Sequence, residues 1–135
     1  MVEGLKGKLP NSAALSTDVA DGKFTLAENI ADNGAIRNAF KAFKLHLALS
    51  DEYVGNRKRL PGLSASPEQL FFLGYASVWC GNITAEYAAW MKVLDNHSPN
   101  KLRVNVPLAN FKEFARAFKC IPGTPMNPKH KCILW

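Results

Sequence analysis

The chain has no Cys-x-x-Cys pair, no His-Glu-x-x-His, and no apolar run near the roughly 18 residues needed to cross a membrane. The missing ligand spacings exclude a self-contained zinc finger and a self-contained metallopeptidase centre. Taken alone, the lack of an apolar stretch behind Met1 reads as a soluble, non-exported chain. Blocks of one charge are equally scarce. Seventeen Lys and Arg against eleven Asp and Glu give a net charge of +6, but the cations are dispersed and only Arg57-Lys58-Arg59 is a tight cluster. With no aromatic residues interleaved, that cluster reads as a solvated loop and not as a nucleic-acid surface. No internal repeat or low-complexity tract is present. What the chain does have is 135 residues, 47% hydrophobic and 21% charged, enough for one modest globular domain with a core of its own.

Cysteine is sparse and odd in number: Cys80, Cys120 and Cys132. One thiol at least lacks an internal partner. Two readings stay open: three free thiols in a cytosolic protein, or half-cystines whose partners lie in sequence outside the chain. Cys132-Ile133-Leu134-Trp135 has a C-a-a-X outline, but Trp is not a usual last residue of a prenylation site and no second membrane signal accompanies it. Asn82-Ile83-Thr84 is a glycosylation sequon, whereas Asn96-His97-Ser98 is followed by Pro99, which hinders the modification.

The pattern predicts a mainly α fold with loops. Residues 1–23 read as an irregular segment, and residues 24–135 as the folded part. A first helix is predicted from Thr25 to Leu49, with Thr25 and Glu28 matching a capping box. A polar linker over 50–65 ends in Leu60-Pro61-Gly62-Leu63. Ser66-Pro67-Glu68-Gln69 carries the start signals of a second helix: Ser at N-cap, Pro at N1, Gln at N3. That helix, through Cys80, is apolar nearly all round and is expected to be buried on most sides. A third helix is predicted over 85–94, then a turn at 95–99. Asn110, with Glu113 three residues on, is read as the cap of a last amphipathic helix bearing Phe111, Phe114, Ala115 and Phe118. The tail, with Pro122, Pro125 and Pro128, reads as irregular.

Within the first helix, Glu28 and Asp32 lie four residues apart and so share a face. At about 100° per residue that face also carries Ala35, Ile36, Ala39, Ala42, Phe43 and Leu47, with Asn33, Arg37, Lys41 and Lys44 opposite. Two acids in an apolar stripe require a compensating metal, histidine or arginine. The capping box accounts for Glu28 but not for Asp32. Of the three histidines, His97 sits in a turn, and by spacing alone it and Arg103 are ordinary surface residues.

Five blocks in order change that reading: Thr25-Leu26-Ala27-Glu28-Asn29-Ile30-Ala31-Asp32-Asn33-Gly34; Leu60-Pro61-Gly62-Leu63; Gln69-Leu70-Phe71-Phe72-Leu73 on to Val78-Trp79-Cys80-Gly81; His97-Ser98-Pro99 with Arg103; and Met126-Asn127-Pro128 on to Lys131-Cys132 and Trp135. Over about Gly22 to Trp135 the chain resembles the C-terminal part of the neprilysin and endothelin-converting enzyme family of zinc metallopeptidases. The resemblance implies the C-terminal part of a thermolysin-like (gluzincin) catalytic domain. It makes Glu28 a ligand of one zinc ion that needs two further ligands from outside this chain. Asp32 would orient a zinc-binding histidine, and His97 would stabilise the oxyanion of the tetrahedral intermediate. Arg103 would grip a substrate carbonyl, and Val78 and Trp79 would line the pocket for the side chain after the cleaved bond. Cys80, Cys120 and Cys132 would be half-cystines, and Asn82 remains the glycosylation candidate. Ala27 stands where the family often has Gly.

The implied parent is a cell-surface or secreted endopeptidase that cleaves peptides on the amino side of large apolar residues. Its partners are the peptide substrate and the upstream part of the same polypeptide, with no nucleic acid and no membrane contact by this segment. By the same resemblance, the His-Glu-x-x-His that supplies two ligands and the general base, the large N-terminal domain and the membrane anchor all precede Met1, so the isolated chain is expected to be inactive and to fold poorly. The alternative is a truncated, non-catalytic fragment that acts by binding. A native polypeptide far larger than 14.9 kDa would favour the first reading, and one near it the second.

Overall fold

Phenylalanine decides where the helices of this protein meet. The computed structural model describes residues 20–49 and 60–133, which form five helices in chain order: α1 (Leu26–Leu49), α2 (Pro67–Val78), α3 (Ala85–Leu94), α4 (Asn100–Asn110) and α5 (Lys112–Ala117). Among the described residues there is no strand, as the predicted fold class requires. The core is a cluster of Ile36, Phe40, Phe72, Leu108 and Phe111, ringed by Phe43, Phe71, Tyr75, Val104, Phe114, Phe118 and Met126. Phe40 of α1 stacks on Phe72 of α2 at 5.0 Å and meets Phe111 edge-on at 5.5 Å, while Phe72 meets Phe114 edge-on at 5.4 Å. Such ring pairs contribute about 0.5–1.5 kcal/mol each beyond the area they bury.

Local signals explain most boundaries. Leu60–Leu63 closes a β-turn, with Pro61 in its second position and Gly62 at φ +79° in its third, which favours glycine. Ser66 caps α2 with the full reciprocal box: its hydroxyl accepts from the Gln69 N–H, and Gln69 Oε1 accepts from the Ser66 N–H. Thr84 caps α3 by accepting from the Tyr87 N–H. α5 ends on Lys119 at φ 53°, where the Cys120 N–H reaches back to the Ala115 carbonyl. The tail is irregular, as expected, and is pinned by Asn127, which donates to the Cys120 carbonyl.

Four expectations are corrected, and one helix is new. The buried face of α1 is rotated by roughly 60° from the predicted stripe. Asn33, placed on the polar side, is 1% exposed, whereas Ala35, Ala39 and Ala42 are exposed. Alanine is too small to direct a helix, and the two phenylalanines and Ile36 set the face instead. Asn33 is tolerated inside because its amide donates to the Asn29 carbonyl and its oxygen accepts from Asn110.

The Thr25–Glu28 box does not form: the Thr25 N–H and hydroxyl both donate to the Asp21 carbonyl, which leaves Glu28 for other contacts. α2 is less enclosed than expected. Phe72 is buried, but Leu73 is 52% and Val78 75% exposed, because the other described helices cover only one side of it. Asn110 is not a cap. It is the last residue of α4, and its side-chain oxygen accepts from the Cys132 N–H. Finally, α4 was not anticipated; it forms despite Pro107 and the β-branched Val104 and Val106, which disfavour a helix locally. The cluster Arg57-Lys58-Arg59 and most of the predicted 1–23 segment lie outside the described residues.

Candidate functional site

The N-terminal turns of α1 and the start of α4 lie side by side, and their polar groups pair across the seam. Asp32 is buried and meets Arg103 in a two-pronged contact: Nε donates to Oδ2 and Nη2 to Oδ1, both at 2.7 Å. The hydrogen bond to Asp32 holds the guanidinium above its ordinary pKa range, against the opposing effect of burial. The Arg103 guanidinium carbon also lies over the Trp79 ring, 3.9 Å from its centroid. Arg103 therefore has two anchors, one carboxylate from α1 and one ring from the end of α2.

One turn before Asp32, Glu28 is half-buried and directs Oε2 to His97 Nε2 at 3.1 Å. The other ring nitrogen, Nδ1, lies 2.7 Å from Asp95 Oδ1, which also accepts from the His97 backbone N–H at 2.9 Å. That backbone donor, followed by the ring, holds the Asp95 carboxyl below the usual carboxylate range. A neutral imidazole has one N–H, so the ring serves both carboxylates as a donor only when protonated. The turn bearing His97 is tied to α1 a second time: Ser98 donates its hydroxyl to Asn29 Oδ1 at 2.7 Å, and Asn29 donates its amide to Thr25 Oγ1.

Glu28, Asp32, His97, Arg103 and Trp79 thus come together. Val78 does not join them; it ends α2 and points to solvent. An open, mainly apolar cavity of about 280 Å³ lies beside His97, lined in part by Phe24, Ile83, Tyr87 and Met91, and neither Val78 nor Trp79 borders it. Cys80 is exposed, Cys120 and Cys132 are half-buried, and all three are free. Asn82 is exposed in the loop between α2 and α3, and the Thr84 hydroxyl of its sequon serves as the α3 cap. His46 and His130 are exposed elsewhere.

The described residues do not by themselves form a metal centre. A catalytic zinc takes three protein ligands, and no group of three His, Cys, Asp or Glu side chains able to hold an ion occurs among the described residues. Glu28, half-buried and facing His97, has the side-chain chemistry of one such ligand. Sequence reasoning missed Asp95, whose Asx-turn spacing to His97 was a usable signal. It also missed Tyr75, whose hydroxyl donates to the Arg103 carbonyl at 2.7 Å. No local signal announces a contact across 28 residues.

A family model described as Peptidase family M13 matches residues 10–134. Among curated proteins the chain is 55% identical over 116 residues to Neprilysin-1 of Trittame loki, covering 85% of this chain and 16% of that protein. It is 46% identical over 125 residues to Membrane metallo-endopeptidase-like 1 of Homo sapiens, covering 89% and 16%. It is 42% identical over 122 residues to Endothelin-converting enzyme 1 of Cavia porcellus, covering 90% and 16%. The chain therefore spans about one-sixth of the length of these relatives.

Proposed function

This chain belongs to peptidase family M13, and from that premise we propose that it is the C-terminal portion of a zinc metalloendopeptidase that hydrolyses peptides on the amino side of large apolar residues. The observation that carries the reading is the pair of contacts on successive turns of α1, Glu28 with His97 and Asp32 with Arg103. Residues 24–135 are then the C-terminal part of the catalytic domain. The parent acts at the cell surface or outside the cell, and Cys80, Cys120 and Cys132 are half-cystines paired beyond this chain. Exposed Asn82 is a glycosylation site. The exposed apolar side chains of α2 and α3, such as Val78 at 75% and Val93 at 73%, support packing against further sequence.

In this reading Glu28 is one zinc ligand, and the other two come from outside the chain. Bound zinc supplies Lewis acidity and an activated water. Asp32 uses one lone pair of each oxygen on Arg103, and a carboxylate has about four acceptor sites, so it keeps room for the N–H of a ligating imidazole. His97, hydrogen-bonded at Nδ1 to Asp95, turns Nε2 towards the Glu28 side, from where an Nε2–H would donate to the oxyanion. Arg103 spends two of its roughly five N–H donors on Asp32 and is held over the Trp79 ring, so the others would be left for a substrate carbonyl. Trp79 and the exposed Val78 would form a pocket wall only together with sequence outside this chain. Without a His-Glu-x-x-His of its own, the isolated chain would be inactive.

The test is Glu28→Ala in the full-length protein, read by metal analysis after dialysis and by peptide hydrolysis. Loss of zinc with helix content unchanged is expected. Zinc retained at full occupancy would remove Glu28 from the metal centre.

A further inference from the structure

Arg103 sits on a helix whose hydrogen-bond ladder is broken at its own carbonyl. In α4 the group that would donate to the Arg103 C=O is the backbone N–H of residue 107, and residue 107 is proline, which has none. The proline ring also crowds that carbonyl and tends to kink the helix there. Yet α4 continues unbroken to Asn110, with Pro107 and Leu108 both buried. The Tyr75 hydroxyl, reaching from α2, donates to the Arg103 carbonyl at 2.7 Å.

We propose that Tyr75 is a positioning residue for Arg103, its phenol replacing the hydrogen bond that Pro107 removes and so fixing the turn of α4 that aims the guanidinium. The inference rests on the reading of Arg103 as the substrate-gripping arginine. α2 then holds Arg103 at both ends: Tyr75 takes the backbone, and Trp79, one turn further along the chain, takes the side chain. The donor is available throughout the working pH range, because burial, and then the charge of Asp32, pushes the phenol up to about 12. A part-buried carbonyl left without a donor is unfavourable, and here the cost would fall on the residue whose geometry matters most.

The test is a double-variant cycle in the full-length protein: Tyr75→Phe, Pro107→Ala, and both together. Tyr75→Phe removes only the hydroxyl. Amide hydrogen exchange over residues 102–110 should speed up by roughly tenfold in Tyr75→Phe. It should speed up by less than about twofold when the same change is made on the Pro107→Ala background, where the helix has its own N–H. For peptide hydrolysis, KM should rise about threefold to tenfold in Tyr75→Phe with kcat changed less than about twofold, and should recover in the double variant.

Equal exchange effects on the two backgrounds would overturn the hydrogen-bond replacement. Coupled exchange with KM unchanged would overturn the positioning role and leave the hydroxyl as a brace for α4 alone. Arg103→Lys separates this inference from the reading beneath it. A KM untouched by Arg103→Lys refutes the substrate role of Arg103, whereas a KM that rises in Arg103→Lys but not in Tyr75→Phe refutes only the part given to Tyr75.

Discussion

The N-terminal half of α1 packs through charges and amides, whereas its C-terminal half packs through rings. Asn29, Asp32 and Asn33 meet Ser98, Arg103 and Asn110 in directional pairs. Phe40 and Phe43 meet Phe71, Phe72 and Phe111 through area and shape. The same helix is therefore built on two principles. Apolar packing tolerates small shifts, because no single contact dominates. The polar seam does not, because a buried polar atom displaced from its partner loses the whole hydrogen bond. A polar seam can hold donors and acceptors at fixed positions, which a catalytic site needs and a core of phenylalanines cannot supply.

The comparison can be broken first from the apolar side. Phe72 is 1% exposed and touches rings from α1 and from the Phe111–Phe118 segment. Phe72→Ala should destabilise the protein by about 3–5 kcal/mol, read as a shift in the denaturant midpoint. A loss under about 1 kcal/mol would mean that the aromatic cluster is not the core.

On the polar side, Asp32→Ala leaves the half-buried Arg103 guanidinium without its carboxylate. A loss of about 3 kcal/mol is expected, somewhat less than for Phe72→Ala because the pair is not wholly removed from water. In the full-length protein the same change should weaken zinc affinity by about 10–100-fold on chelator titration, an effect that Phe72→Ala should not produce once stability is corrected for. Unchanged affinity would separate Asp32 from the metal centre.

The smallest effect is a pH dependence. The Asp95 carboxyl is lower in the folded protein than in the unfolded chain, because the His97 backbone N–H and ring favour its charged form. Its contribution is therefore present above the ordinary carboxylate value of about 3.9 and is lost as pH falls through the lower folded value. Asp95→Asn should flatten the acid limb of the stability profile and leave the neutral region nearly unchanged. An acid limb identical to that of the parent protein would show that Asp95 does not report on the turn.

Much of the helical plan was legible. The start of α2, the extent of α3 and most of α1 follow from Ser66-Pro67-x-Gln69, from apolar spacing and from capping chemistry, all of which act within a few residues. α4 was not, because Pro107 argues against a helix locally and its cure, Tyr75, lies 32 positions earlier in the sequence. Asp32 was legible as an acid needing a partner, but the partner was not, because any cation elsewhere in the chain would have satisfied the rule. Asn33 was assigned to the wrong side, since an amide is read as exposed until another amide is found to receive it.

By itself the sequence determined the helical class, the ends of the strongly capped helices, the family and the presence of unusual carboxylates on α1. Each of these follows from residue type and short spacing. Only the tertiary structure decided which charge faces which: that Asp32 takes Arg103, that Glu28 takes His97, and that Tyr75 replaces a hydrogen bond missing from another helix. The reason is physical. Local propensity acts through the few torsions around a residue, whereas these pairs depend on the distance between helices, which the packing of Phe40, Phe72 and Phe111 sets.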